Sequence, residues 1–280
     1  MALNVQKVKW GHLIQANTAL RPGAGGRDAV ADKVFAAWVL GPAAHVPKHA
    51  TRPGLQGVLL DLDGVLVDTA EFHFLAWKRL ADEFRLPFDR QMNHGFRGVG
   101  RMECLDKLLG GHAHCFVAEE KRLLADRKNT YYLEQVNTLT PEDLEDGARG
   151  LAMGLRALSD GGVRLALVSA SRNARLVLHK LHIEDWFAAI IDGGDVTRGK
   201  PDPQCLLLAA ERMRVRPEAC VVVEDADAGL QAARAAGMPC VGVGGGVGAC
   251  DLHVNAIGEL TIEQLEGIVQ VRRTPKLARD

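Results

Sequence analysis

From Gly57 onward the chain alternates between two apolar patterns. One is a short apolar run with little polar alternation, seen in GVLLDLD, RLALVSAS, AAIIDG, CVVVEDA and PCVGVG. Such runs suit strands covered on both faces. The other is a helical spacing of apolar residues, seen in GLRALSDGG, ARLVLHKLH, PDPQCLLLAAERMRV and AGLQAARAAG. Strand and helix in alternation predict an α/β fold built on a parallel sheet. The gap between the first and second strands breaks the rhythm. It holds only helical patterns: EFHFLAWKRLADEF, RMECLDKLLG and FVAEEKRLLADRKNTYYLEQV. A helical block inserted after the first strand reads as a cap. The expected division is a sheet core over residues 56–68 and 147–280, with a helical cap over 69–146.

Residues 1–55 are different, with weak periodicity and many Gly, Pro and Ala. They lack the compact apolar core and cleavage pattern of a secretory signal. One amphipathic helix is expected in DAVADKVFAAWVL, with Val30, Val34, Phe35, Trp38 and Val39 as its apolar stripe. The segment reads as an extension outside the catalytic fold.

Composition changes this picture little. The 280 residues are 47% apolar and 25% charged, with a net charge of −1. That balance argues against a bulk field for nucleic acid or a membrane surface. Apolar runs are interrupted well short of a membrane span. Cysteines fall at 104, 115, 205, 220, 240 and 250 with no CxxC pair, which suits reduced thiols in a cytoplasmic protein.

The chemistry is at the strand ends. In VLLDLDG an apolar run stops at Asp61 and Asp63, with Gly64 next. A plain turn explains Asp and Gly at a strand end. A calcium loop is excluded, because Gly64 follows Asp63 at once and no helix precedes. The third explanation is a site. Residues i and i+2 of a strand point the same way, and ligands of parallel sheets bind beyond the strand carboxyl ends. Two facing carboxylates repel unless a cation lies between them. On this stretch alone, turn and site are equal.

Other strand ends tip the balance. CVVVEDADAG ends an apolar run in Glu224 and Asp225. A helix N-cap accounts for one acid and not for a consecutive pair. With Asp61 the pair makes three hard oxygen donors and no His or thiolate, a set suited to Mg²⁺. LALVSASRNA presents Ser169, Ala170, Ser171 and Asn173 just before a helix. A Ser cap explains them if they stand alone, while hydroxyls and N–H groups there also bind phosphate. TRGKPDPQC fixes Lys200 between Gly199 and Pro201. A lysine on a short stiff turn beside acids suits a phosphate and holds carboxylates ionised.

Four motifs in this order, DLDGVLVDT, VSAS, GKPDP and VVEDADAG, resemble the haloacid dehalogenase superfamily of phosphotransferases over nearly all of residues 57–248. The resemblance implies a Rossmann-like core with Asp61 as phosphoryl-accepting nucleophile and Asp63 as its acid/base partner. It implies Mg²⁺ held by Asp61, the main-chain carbonyl of Asp63, Glu224 and Asp225. The stretches around FRGVGR, RKNTYY and LVSASRNA are similar to one branch, the β-phosphoglucomutases. That likeness implies that Thr69, His73 and Lys128 position Asp63 when the cap closes. Trp77 and the loop Gly98, Val99, Gly100 and Arg101 would hold the sugar and its far phosphate, with Arg101 as the distal grip. Ser171, Arg172 and Asn173 would contact the phosphate or sugar from the core. The expected partners are a sugar phosphate and a sugar bisphosphate, with no nucleic acid and no membrane, in a monomer. Two readings stay open beside the mutase: a sugar-phosphate phosphatase and a non-catalytic sensor.

Overall fold

A computed structural model of the protein describes residues 54–158, 162–245 and 247–273. The extension and its expected helix lie outside the described residues.

The apolar runs form the parallel strands that their pattern demands. These are β1 (Gly57–Leu60), β2 (Arg164–Val168), β3 (Ala189–Ile191), β4 (Cys220–Glu224) and β5 (Cys240–Val243), with β6 (Leu252–Val254) at one edge. Their order is β3-β2-β1-β4-β5-β6, and every pairing is parallel. β1 sits in the middle, between β2 and β4. The strand period of two splits its side chains between the faces. Val58 and Leu60 join a core with helices α5 (Ala148–Ala157), α6 (Ala174–Leu181) and α9 (Ile262–Arg273). Leu59 joins the opposite core, with α7 (Gln204–Met213) and α8 (Asp227–Ala235). This is the α/β fold with both faces covered that the sequence predicts.

Residues 69–146 carry α1 (Ala70–Glu83), α2 (Arg90–His94), α3 (Arg101–Leu109) and α4 (Ala118–Val136). Among the described residues this stretch contributes no strand to the sheet, only a bridge from Leu144 back to Val67. Trp77, Leu80 and Ala81 of α1 and Leu124, Tyr132 and Val136 of α4 are buried at 6% exposure or less, as the helical apolar stripes require. Three elements have no counterpart in the sequence reading. β6 has three residues with polar His253 at its centre, α2 has five residues, and α9 mixes Glu and Gln into its apolar pattern. α2 starts where Asp89 accepts the Met92 N–H at 2.8 Å, a side-chain N-cap.

Candidate active site

β1 delivers Asp61 to the crevice at the carboxyl edge of the sheet. Its N–H donates to the Val223 carbonyl at 3.0 Å, so it is held as an extension of the strand. One strand over, Glu224 ends β4. Its carboxylate accepts the N–H groups of Asp225 and Ala226 at 3.1 and 3.2 Å. Two glycines make room for these acids. A Cβ on Gly229 would lie 1.9 Å from Glu224 Oε1, and one on Gly64 would lie 2.3 Å from Asp225 Oδ2. Gly64 also has φ +83°, a conformation side chains disfavour. Asp61, Glu224 and Asp225 each offer an oxygen within 4.8 Å of the others'.

Lys200 joins this group. It is 3% exposed and donates to Asp61 Oδ1 at 2.6 Å, to the Val168 carbonyl at 3.0 Å, and to Glu224. Burial pulls its ammonium down, but Asp61 and Glu224 outweigh burial and hold its pKa well above the usual range. Burial pushes Glu224 up to about 7, with Lys200 opposing and Asp61 adding to it. Asp225 goes up to about 8, through burial first and then Glu224 and Asp61, with Arg97 opposing. These acids strain against one another, and a cation among them removes that strain.

Asp63, in the field of Asp61, makes its side-chain contacts with the helical insert. Thr69 donates its hydroxyl to Asp63 Oδ1, and His73 Nε2 lies 3.8 Å from the same oxygen. Lys128 Nζ reaches His73 Nδ1 at 2.8 Å. Burial, then Lys128 and Arg101, hold His73 well below its usual pKa, so the ring is neutral. With Lys128 donating to Nδ1, the ring proton belongs on Nε2, toward Asp63. Burial and Arg101 pull Lys128 down to about 7. Burial, then Asp61, push Asp63 up to about 6 against the Thr69 hydrogen bond.

The remaining predicted residues lie on the loop after β2, on the loop before α3 and on α1. After β2, the Ser169 hydroxyl accepts the Ser171 N–H at 3.0 Å and the Ser171 hydroxyl accepts the Asn173 N–H at 3.2 Å. Ala170 and Arg172 complete that loop. The loop Gly98–Val99–Gly100 leads from α2 to Arg101 at the start of α3. Gly98 has φ +68°, and a Cβ there would come within 3.2 Å of the Ala226 Cβ, so the loop lies against the start of α8. Burial, with Arg172 nearby, lowers the Arg101 pKa while Asp126 opposes. A guanidinium of the insert and one of the core thus share one field. Trp77 is 3% exposed, meets Phe96 edge-on at 5.6 Å and carries Lys128 4.9 Å over its ring. Its observed contacts are packing contacts.

Three residues of the crevice have no role in the sequence reading. Arg97 Nη1 lies 3.5 Å from Asp225 Oδ2. Asn129 Oδ1 accepts from Asn173 Nδ2 at 2.7 Å, tying α4 to the Ser loop. Tyr132 stacks on His73 with ring centroids 4.2 Å apart. The signal for Tyr132 was its spacing, one helical turn after Lys128.

A parallel α/β core with paired acids, a lysine and a hydroxyl loop at its strand ends defines a class of phosphate-handling enzyme. Residues 55–237 match the haloacid dehalogenase-like hydrolases, and the chain belongs to that family. It is 44% identical to a β-phosphoglucomutase of Bacillus subtilis over 216 residues, 75% of this chain and 94% of the relative. It is 32% identical to a phosphorylated-carbohydrates phosphatase of Thermotoga maritima over 186 residues, 66% of this chain and 82% of the relative. A crystal structure of β-phosphoglucomutase from Clostridium difficile superposes with a TM-score of 0.73 at 33% identity, covering 78% of this chain and 98% of that one. The protein is an enzyme of the phosphotransferase and isomerase type. No described helix is long and apolar enough to cross a membrane.

Proposed function

We propose that this enzyme is a phosphomutase that interconverts β-D-glucose 1-phosphate and glucose 6-phosphate. The observation that carries the reading is the chain Thr69, His73 and Lys128, which runs from the insert to Asp63, a carboxylate in the field of Asp61. A simple binding protein needs no such support for a second carboxylate. The 44% identity to a β-phosphoglucomutase supports the choice of substrate.

In this reading Asp61 is the nucleophile and residues 69–146 are the cap. Phospho-Asp61 gives its phosphoryl group to the 6-hydroxyl of β-glucose 1-phosphate. The O–P bond to Asp61 breaks as the bond to the sugar oxygen forms, and Asp63 takes the hydroxyl proton. The 1,6-bisphosphate turns over in the site and returns its C1 phosphate to Asp61. Asp63 then protonates the departing C1 oxygen, leaving glucose 6-phosphate. An acid/base group near pKa 6 suits both directions at neutral pH. Asp61, Glu224 and Asp225, with the main-chain carbonyl of Asp63, would hold Mg²⁺, which supplies the positive charge that lets two anions approach. Lys200 supplies further charge to Asp61 at 2.6 Å. Arg101 grips whichever phosphate is distal, with Ser171, Arg172 and Asn173 on the core side.

The second reading, a sugar-phosphate phosphatase, is favoured by the 32% identity to a carbohydrate phosphatase. The two differ in whether water or sugar takes the phosphoryl group. Isomerisation of both anomers of glucose 1-phosphate, with and without β-glucose 1,6-bisphosphate and Mg²⁺, separates them. A mutase converts the β anomer, and the bisphosphate stimulates it strongly. Free phosphate as the main product, unaffected by the bisphosphate, means a phosphatase.

A further inference from the structure

Arg97 belongs to the insert, yet its ion pair is with the core. Its Nη1 lies 3.5 Å from Asp225 Oδ2, with the Asp225 side chain 8% exposed and the Arg97 side chain 39%. The next residue, Gly98, fixes that approach. A Cβ there would meet the Ala226 Cβ at 3.2 Å, so the loop rests on the chain just after Asp225. Asp225 is also one of the three acids whose oxygens lie within 4.8 Å of one another. A divalent cation among those acids and the Arg97 guanidinium therefore draw on one carboxylate.

Charge decides how they share it. Asp61, Glu224 and Asp225 carry three negative charges when ionised. A divalent cation balances two of them, and Lys200, which donates to Asp61 and Glu224, balances the third. A further guanidinium then gains little and is repelled by the cation a few ångströms away. Arg97 also has somewhere to go. It lines a polar groove of about 360 Å³ with Asp68, Glu71, Arg90 and His94. Arg90 is already held there by both Glu71 oxygens, at 2.7 and 3.0 Å, which leaves Asp68 as the groove's other acid. A half-exposed guanidinium moves into such a groove without burying its charge.

We propose that Arg97 sets the affinity of the metal site: it competes with Mg²⁺ for Asp225, and metal binding moves it off that carboxylate toward Asp68. The inference rests on the Mg²⁺ site of the function proposed above. Coupling of this kind is reciprocal, so what the Arg97 contact costs the metal, the metal costs the contact. Mg²⁺ therefore loosens the loop at residues 96–100 from the core.

The test measures Mg²⁺ binding to the full chain by titration calorimetry, for wild type, Arg97→Met, Arg97→Lys and Arg90→Met. Arg97→Met should bind Mg²⁺ about fivefold more tightly, the most that displacing a half-exposed ion pair is expected to cost. Arg97→Lys keeps the charge and should stay near the wild type. Arg90→Met removes a charge from the same groove and should leave the affinity unchanged. Hydrogen exchange at residues 96–100 should rise when Mg²⁺ is added to the wild type and should not respond to Mg²⁺ in Arg97→Met. Unchanged Mg²⁺ binding by Arg97→Met would overturn the proposal. Weaker binding would also overturn it, by making Arg97 a support for Asp225 instead of its competitor. Equal tightening by Arg90→Met would reduce the effect to net charge and overturn it too. A wild-type chain that binds no Mg²⁺ sinks the metal reading first, and this inference with it.

Discussion

Burial lifts Asp63 and Asp225 alike, to about 6 and about 8, yet they face different neighbours. Asp225 lies among acids, with only Arg97 opposing. A raised carboxylate pKa means that the folded protein holds its proton more tightly than the unfolded chain does. That costs stability as pH rises from about 4 through about 8. Asp225→Asn should therefore raise the melting temperature of the metal-free protein at pH 8 by at least about 2 °C. The gain should shrink toward pH 4, and the Mg²⁺-induced rise should be lost. Thermal melts across pH with and without Mg²⁺ check all three, and a lower melting temperature at pH 8 would contradict the strain at this site. Asp63 has the Thr69 hydroxyl and the His73 edge instead, which suits the proton transfer proposed for it. As the base it must be ionised, so turnover of β-glucose 1-phosphate should fall as pH drops below about 6. Asp63→Asn should lose ~10²–10⁴-fold in turnover while retaining Mg²⁺ binding. A loss below tenfold with Mg²⁺ binding abolished would give Asp63 a metal role instead.

At the scale of elements, the strand ends were legible because an unbroken apolar run that stops at acids is a local pattern. β1 and β4 are distant in sequence and lie side by side in the sheet, so their acids meet at one edge. The link from Lys128 through His73 to Asp63 was legible only through family resemblance. Its members come from α4, α1 and the turn after β1, and no local period records that meeting. Arg97, Asn129 and Tyr132 lie within FRGVGR and RKNTYY, stretches that carry the resemblance, without a contact assigned to them from sequence. The short β6 was hidden by His253 at its centre. Among the contacts that join insert to core are the Gly98 loop against Ala226 and Asn129 with Asn173. Asn129→Ala removes the second. A neutral hydrogen bond contributes about 1 kcal/mol, so isomerisation should fall severalfold while the share of phosphate released to water rises. An unchanged partition would show that this bond takes no part in closing the site.

Over the whole molecule, one parallel core and one helical insert each contribute a guanidinium to one field, Arg172 and Arg101. If Arg101 grips the distal phosphate, its removal weakens both bisphosphate binding and closure. Arg101→Ala should cut isomerisation by roughly 1.5–3 kcal/mol of transition-state stabilisation, about 10–150-fold. Phosphate release should rise relative to isomerisation when both are followed in one tube. Unchanged isomerisation would place the distal grip elsewhere. The expectations about turnover depend on a phosphoryl group that passes through Asp61. The most direct measurement is to quench the enzyme in acid after mixing with β-glucose 1,6-bisphosphate and Mg²⁺, then map the modified peptide by mass. The account predicts one phosphoryl group on the peptide that carries Asp61, absent from Asp61→Asn, which should fold normally and lack turnover. A phosphoryl group on Ser169 or Ser171, or full turnover by Asp61→Asn, would contradict it.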